Sequence, residues 1–182
     1  MTDKLILQTV DGTTLSFDLK ELARLESRKK ELSYVNKETA AELLYDFNEG
    51  YAEVSRMALK VLHEYERMVQ KSKERRAMVI LDIAPGELKK RNLLTSKSPG
   101  GSADLREAVL DMDKEYNELL EKSSALKAAY QFFKIRAKSL EMSYQAVKKV
   151  MDPNSNSGYS NSSFSTPNEI DDDVGAIGEP RF

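Results

Sequence analysis

The sequence predicts an all-α fold: long antiparallel heptad helices, a small N-terminal β-hairpin and a disordered acidic C-terminal tail. Three observations lead there. Two long stretches carry apolar residues at steps that alternate between three and four, the spacing of a helix that buries one seam. Near the N-terminus, Asp11-Gly12 sits between the β-prone runs Leu5–Val10 and Thr13–Phe17, the signature of a tight hairpin. After Met151 the composition shifts to Ser, Asn, Pro and Gly and then to acids. Such a segment buries too little apolar area to offset its ordering entropy.

The elements follow in order. A type I′ turn is expected at Asp11-Gly12, and a lone hairpin is marginal in water, so it must dock on something. Asp18 opens a short helix with Glu21 as its capping-box partner and Leu19, Leu22 and Leu25 on its apolar face. Residues 1–35 form this hairpin-and-helix unit. Asn36 is the expected N-cap of the first long helix, whose seam reads Leu44, Phe47, Tyr51, Val54, Ala58, Val61, Tyr65 and Met68. Met57, Leu62 and Val69 widen the stripe, which suits packing against more than one neighbour. Gly50 costs that helix ~1 kcal/mol relative to alanine, so packing must override it.

Pro85-Gly86 is expected to stop the element, and Ser96–Ser102 reads as a flexible joint. Ser102 or Asp104 then starts a short helix through Leu110. Asp111 or Asp113 caps the last one, with the seam Tyr116, Leu119, Ser123, Leu126, Tyr130, Phe133, Ala137, Leu140, Tyr144, Val147 and Met151. Residues 36–151 are thus a helical core for oligomerisation and binding, and 152–182 the tail. Two helices alone do not bury both widened stripes. Self-association is therefore expected to complete the core; the alternative is a monomeric bundle with the first helix covering the gap.

Composition narrows the chemistry. Among 182 residues there is no cysteine, no tryptophan and one histidine, His63. That excludes disulfide scaffolds, thiolate zinc sites, cysteine nucleophiles and two-histidine metal motifs. No P-loop, HExxH or GxSxG motif is present. His63, inside a long helix, reads as a surface or boundary residue. Adjacent carboxylates at Asp171, Asp172 and Asp173 give no fixed cage for a metal ion. The expectation is a binding protein: no catalytic residues, no cofactor and no metal. No signal peptide is evident, and the longest apolar run, Ala77–Leu81, is far too short to span a bilayer, so a soluble, cytoplasmic chain is expected.

Charge is the stronger signal. The chain carries 28 bases against 30 acids, a net −2, but residues 152–182 hold −5 and the remainder +3. A mildly basic body with an acidic end is a pattern of proteins that handle nucleic acid. Arg67, Lys71, Lys73, Arg75 and Arg76 stand against Glu74 alone, and Lys89-Lys90-Arg91 follows. Lys122, Lys127, Lys134, Arg136, Lys138, Lys148 and Lys149 stand against Glu141 alone. Phosphates satisfy such clusters, with salt-sensitive binding through counterion release. With no base-reading module present, binding should be largely independent of sequence. A solvated helix face is the bland alternative, and the tyrosines and phenylalanines of the seams read first as core.

Arg106-Glu107-Ala108-Val109-Leu110-Asp111-Met112-Asp113-Lys114, followed by the aromatic helix through Tyr130 and Phe133 to Val150, resembles the C-terminal half of bacteriophage UvsY-type recombination mediators. The resemblance covers roughly Asn36 to Met151. It implies a helical, ring-forming homo-oligomer that binds single-stranded DNA and helps load a RecA-like recombinase onto strands covered by single-strand-binding protein. On that resemblance Lys71, Lys73, Arg75 and Arg76 are the first candidates for phosphate contact. Lys134, Arg136 and Lys138 come second, with Lys89, Lys90 and Arg91 beside them. The Asp-Gly hairpin and the long tail depart from the family pattern. The tail itself, with Asp171–Asp173 and a final Phe182, is similar to the partner-docking tips of single-strand-binding proteins, Arg181 being the departure. It either recruits a partner or competes with DNA for the basic surface. A coiled-coil scaffold or assembly protein of a phage, with no DNA role, is the rival expectation, and a small helical regulator that binds a protein through its tail is a second.

Overall fold

In the computed structural model, which describes residues 4–152, the chain is mostly helical behind a two-stranded hairpin. β1 (Lys4–Gln8) pairs antiparallel with β2 (Thr14–Asp18), from Lys4 opposite Asp18 to Gln8 opposite Thr14. α1 (Lys20–Arg28) runs into a 3-10 turn (Lys29–Ser33). α2 (Lys37–Met78) continues through a π-helical turn (Val79–Ile83) into α3 (Ala84–Lys90). α4 (Ala103–Asp111) leads to α5 (Lys114–Met151). The tail, with Asp171, Asp172, Asp173 and Phe182, lies outside the described residues.

α2 and α5 are antiparallel partners. The end of α2 meets the start of α5 where Arg75 pairs with Asp113 and Glu115. Further along, Gly50 lies under Leu140. Between them Leu43, Phe47, Val54, Val61 and Met68 pack with Leu119, Leu126, Phe133, Leu140 and Val147 in one core. The hairpin and α1 add Leu7, Phe17, Leu22 and Leu25, with the Phe17 and Phe133 rings edge to face at 5.1 Å. The hairpin thus docks on the helix pair, as a lone hairpin must.

The caps are where the residue types place them. Asn36 accepts from the backbone N–H groups of Glu38 and Thr39, and Thr39 Oγ1 accepts from the Asn36 N–H, a reciprocal box. Ser102 caps α4, and Asp113, not Asp111, caps α5 by accepting from Tyr116 N. Asn92, at φ +56°, closes α3: the Leu93 N–H reaches Leu88 O and the Asn92 N–H reaches Lys89 O, the paired bonds of a left-handed C-terminal cap.

Four expectations need correction. The hairpin turn is not type I′. Only Gly12 has positive φ (+79°), Gly12 N–H donates to Thr9 O, and Thr9 pairs with Thr13 across a three-residue loop, a type I turn closed by a left-handed glycine. Asp18 belongs to β2, and Leu19 is the residue before α1; Asp18 still accepts from Lys20 N, while Glu21 is held by Arg24 and forms no capping box. Pro85-Gly86 does not stop the helix. The chain passes from α2 to α3 through the π turn, in which Ala84 N–H reaches back five residues to Val79 O. One widened turn accommodates a proline that lacks a donor and crowds the preceding turn. In the α2 seam, Gly50 is buried and Tyr51 is 38% exposed. An ideal Cβ at Gly50 falls 2.3 Å from Leu25 Cδ1, so the glycine is there to let Leu25 approach.

Candidate nucleic-acid interface

Helices turn about 100° per residue, which sorts the charged side chains by flank. The N-terminal unit covers one flank of the α2–α5 pair. Leu25 lies over Gly50, Arg24 and Arg28 hold Asp46, Arg28 also holds Glu42, and Asp11 holds Arg67. On α5 the same flank carries Arg136, paired with Glu26 at 3.1 Å, and Ser139, which accepts from Lys29. Hydrogen bonds from Arg24, and then from Arg28, hold the Asp46 carboxyl below the usual carboxylate range; the Arg24 guanidinium is raised first by Glu21 and then by Asp46, and that of Arg28 first by Glu31 and then by Asp46.

Among the described residues the opposite flank is open along most of its length. By helical rotation it carries Lys127, Lys134, Lys138 and Lys148 of α5, all exposed. None of these four has an ion pair or hydrogen bond among the described residues. Lys127 to Lys148 spans 21 residues of α5, about 31 Å at about 1.5 Å per residue. Glu141 is the acid on the same arc of α5, and Glu66 lies along the facing edge of α2.

The four cations that sequence put first do not share a face. Lys71 and Arg75 rotate toward the covered flank, Lys73 and Arg76 toward the open one. Arg75 is consumed by structure: its Nε and Nη2 donate to Asp113 at 3.0 and 2.7 Å, and Nη1 pairs with Glu115. Its hydrogen bond holds the Asp113 carboxyl low, and Asp113 raises the guanidinium. Arg76 pairs with Glu107 of α4. Lys71 and Lys73 are exposed and unpaired among the described residues.

The second group also divides. Lys134 and Lys138 are on the open flank, whereas Arg136 sits between Glu26 and the Phe132 ring, 5.4 Å from its centroid. Lys89 and Arg91 are exposed at the end of α3, and Lys90 is tied to Glu87 at 2.7 Å. Lys127 and Lys148 count toward the charge excess of the sequence without having been singled out. The spacing 127, 134, 138, 148 is the signal that places them on one stripe with Lys134 and Lys138.

Among the described residues no group of His, Asp and Glu side chains is arranged to hold a metal ion, and no helix is long and apolar enough to cross a membrane. His63 is exposed on α2. Comparison with protein-family models, with curated proteins and with solved structures finds no match.

Proposed function

We propose that this protein binds single-stranded DNA without reading its sequence and acts as a recombination mediator, helping to load a RecA-like recombinase onto strands covered by single-strand-binding protein. One observation supports the binding step above all: four lysines stand in a stripe of about 31 Å on α5 with no carboxylate partner among the described residues, on the flank the N-terminal unit leaves uncovered. A protein that needed those cations for its own fold would pair them, as it pairs Arg24, Arg28, Arg67, Arg75 and Arg76. Phosphate is the counter-charge that such a row fits, and displaced counterions supply the driving force. The mediator role, its phage setting and its action in the host cytoplasm rest on the UvsY-type resemblance, and the reading as a binder and not a catalyst rests on the composition and motifs of the sequence.

Assembly belongs to the same reading. Tyr45 and Leu59 of α2 and Ile135 and Met142 of α5 are each more than half exposed, and all point away from the core. A homo-oligomer, a ring on the family resemblance, would cover them and multiply weak strand contacts through effective concentration. The same residues favour the rival scaffold reading, which predicts assembly without DNA. Anisotropy of a labelled oligonucleotide separates the two: binding that weakens steeply with salt supports the mediator, and assembly without strand binding at low salt supports the scaffold.

A further inference from the structure

The open flank carries more than lysines. Tyr130 and Tyr144 of α5 and Tyr65 of α2 are half-buried against the core, and Tyr51 of α2 is 38% exposed. All four rotate toward the open flank. The antiparallel register, set by Gly50 against Leu140 and by Arg75 against Asp113 and Glu115, puts Tyr65 beside residue 125 of α5 and Tyr51 beside residue 139. Along the groove the order is then Tyr65, Lys127, Tyr130, Lys134, Lys138, Tyr51, Tyr144, Lys148. None of the tyrosine hydroxyls is among the buried unpaired polar atoms, which are Glu64 Oε2 and Arg106 Nε, and none bonds to a protein group among the described residues. The rings are therefore wedged by the core on one side, with the hydroxyl ends at the surface.

We infer that this flank is a track for single-stranded nucleic acid in which bases pack against Tyr51, Tyr65, Tyr130 and Tyr144 while the phosphates lie along Lys127, Lys134, Lys138 and Lys148. The inference deepens the DNA-binding reading above and rests on it. A lysine row alone grips any polyanion. Tyrosines interleaved with that row select a polyanion that carries unpaired bases, because every base presents a π-face and a duplex hides those faces in its stack. The rings are held in place before the strand arrives, so little side-chain entropy is lost on contact. At about 3.4 Å per stacked nucleotide, the stretch from Lys127 to Lys148 accommodates about nine nucleotides.

The test uses the full chain and two labelled probes of equal length and charge, oligo-dT and an abasic phosphodiester strand. Tyrosine is the only strong intrinsic fluorophore, since the chain lacks tryptophan. Oligo-dT is expected to bind at least tenfold more tightly than the abasic strand and to quench tyrosine emission. Tyr51→Leu and Tyr130→Leu keep apolar packing and are each expected to weaken oligo-dT about tenfold, to leave the abasic strand unaffected and to keep the salt slope. Tyr51→Phe and Tyr130→Phe restore binding, and circular dichroism confirms that each variant is folded. Equal affinity for the two probes, with no quenching, overturns the track while leaving electrostatic DNA binding intact. Leucine variants that dissociate the assembly and lose both probes together also overturn it, by making this flank a subunit interface. If neither probe binds the wild-type chain at low salt, the DNA-binding reading itself falls and the track with it.

Discussion

Gly50→Ala sets two effects of known sign against each other. Alanine in a helix interior is worth about 1 kcal/mol over glycine. The new methyl group, however, meets Leu25 Cδ1 at 2.3 Å, with Leu140 Cδ1 at 3.4 Å behind it. Leu25 is 1% exposed and Leu140 fully buried, so a shift of either side chain displaces packed neighbours. Overpacking of this kind costs about 1–3 kcal/mol. The net expectation is a loss of about 1 kcal/mol, a fall of roughly 2–4 °C in Tm for a chain of this size. Leu25→Ala alone should cost about 2–5 kcal/mol through the cavity it leaves. In that background Gly50→Ala should change sign and stabilise by about 1 kcal/mol, because the methyl group then fills space and keeps its propensity gain. Urea unfolding of the four proteins, followed by far-UV circular dichroism, reads the cycle. Gly50→Ala stabilising the wild-type background would refute the close approach of α1 to α2.

Three further outcomes are expected. Asp113→Ala removes both the α5 cap and the Arg75 pair and should cost more than Asp113→Asn, which keeps a capping oxygen but loses the charge; in urea unfolding the gap between the two variants measures the cap, and the cost of Asp113→Asn relative to wild type measures the ion pair. Asp46 and Asp113 both titrate below their free range of about 3.9, so their contribution is fully present above that pH and is lost as pH falls through the folded values. Acid titration of unfolding should show this loss, and Asp46→Asn should shrink it. Deleting residues 153–182 removes five acids and one base and takes the net charge from −2 to +2. Affinity for an oligonucleotide should rise at low salt and converge with the full chain at high salt.

Local chemistry made much of the fold legible. Asn36, Ser102 and Asp113 announce helix starts because a short oxygen-bearing side chain ahead of an apolar-periodic run has one good use, accepting orphan N–H groups. The α5 seam is legible because its apolar positions keep step for ten turns. Where tertiary contact decides, the sequence is silent. At Gly50 the heptad count moves on to Tyr51, since a glycine offers no side chain to count, yet the buried position exists because Leu25 enters from a different element. Pro85 reads as a stop until the π turn widens to admit it. The candidate site is half legible for the same reason. Charge density along the chain finds Lys71–Arg76 and Lys134–Lys138, but it does not reveal that acids at positions 107, 113 and 115 claim Arg76 and Arg75, or that Glu26 claims Arg136. Only the docking of α1 and the hairpin shows which flank stays open.

The central claim is that unpaired lysines on the open flank of α5 grip a phosphate strand. The most direct measurement is the affinity of a labelled oligonucleotide across a salt series for the wild-type chain and for the quadruple variant Lys127→Gln, Lys134→Gln, Lys138→Gln, Lys148→Gln. A wild-type log–log slope near −3, at about −0.7 per phosphate engaged, that collapses toward zero in the variant is the predicted result. A variant that binds with undiminished slope and affinity would contradict it.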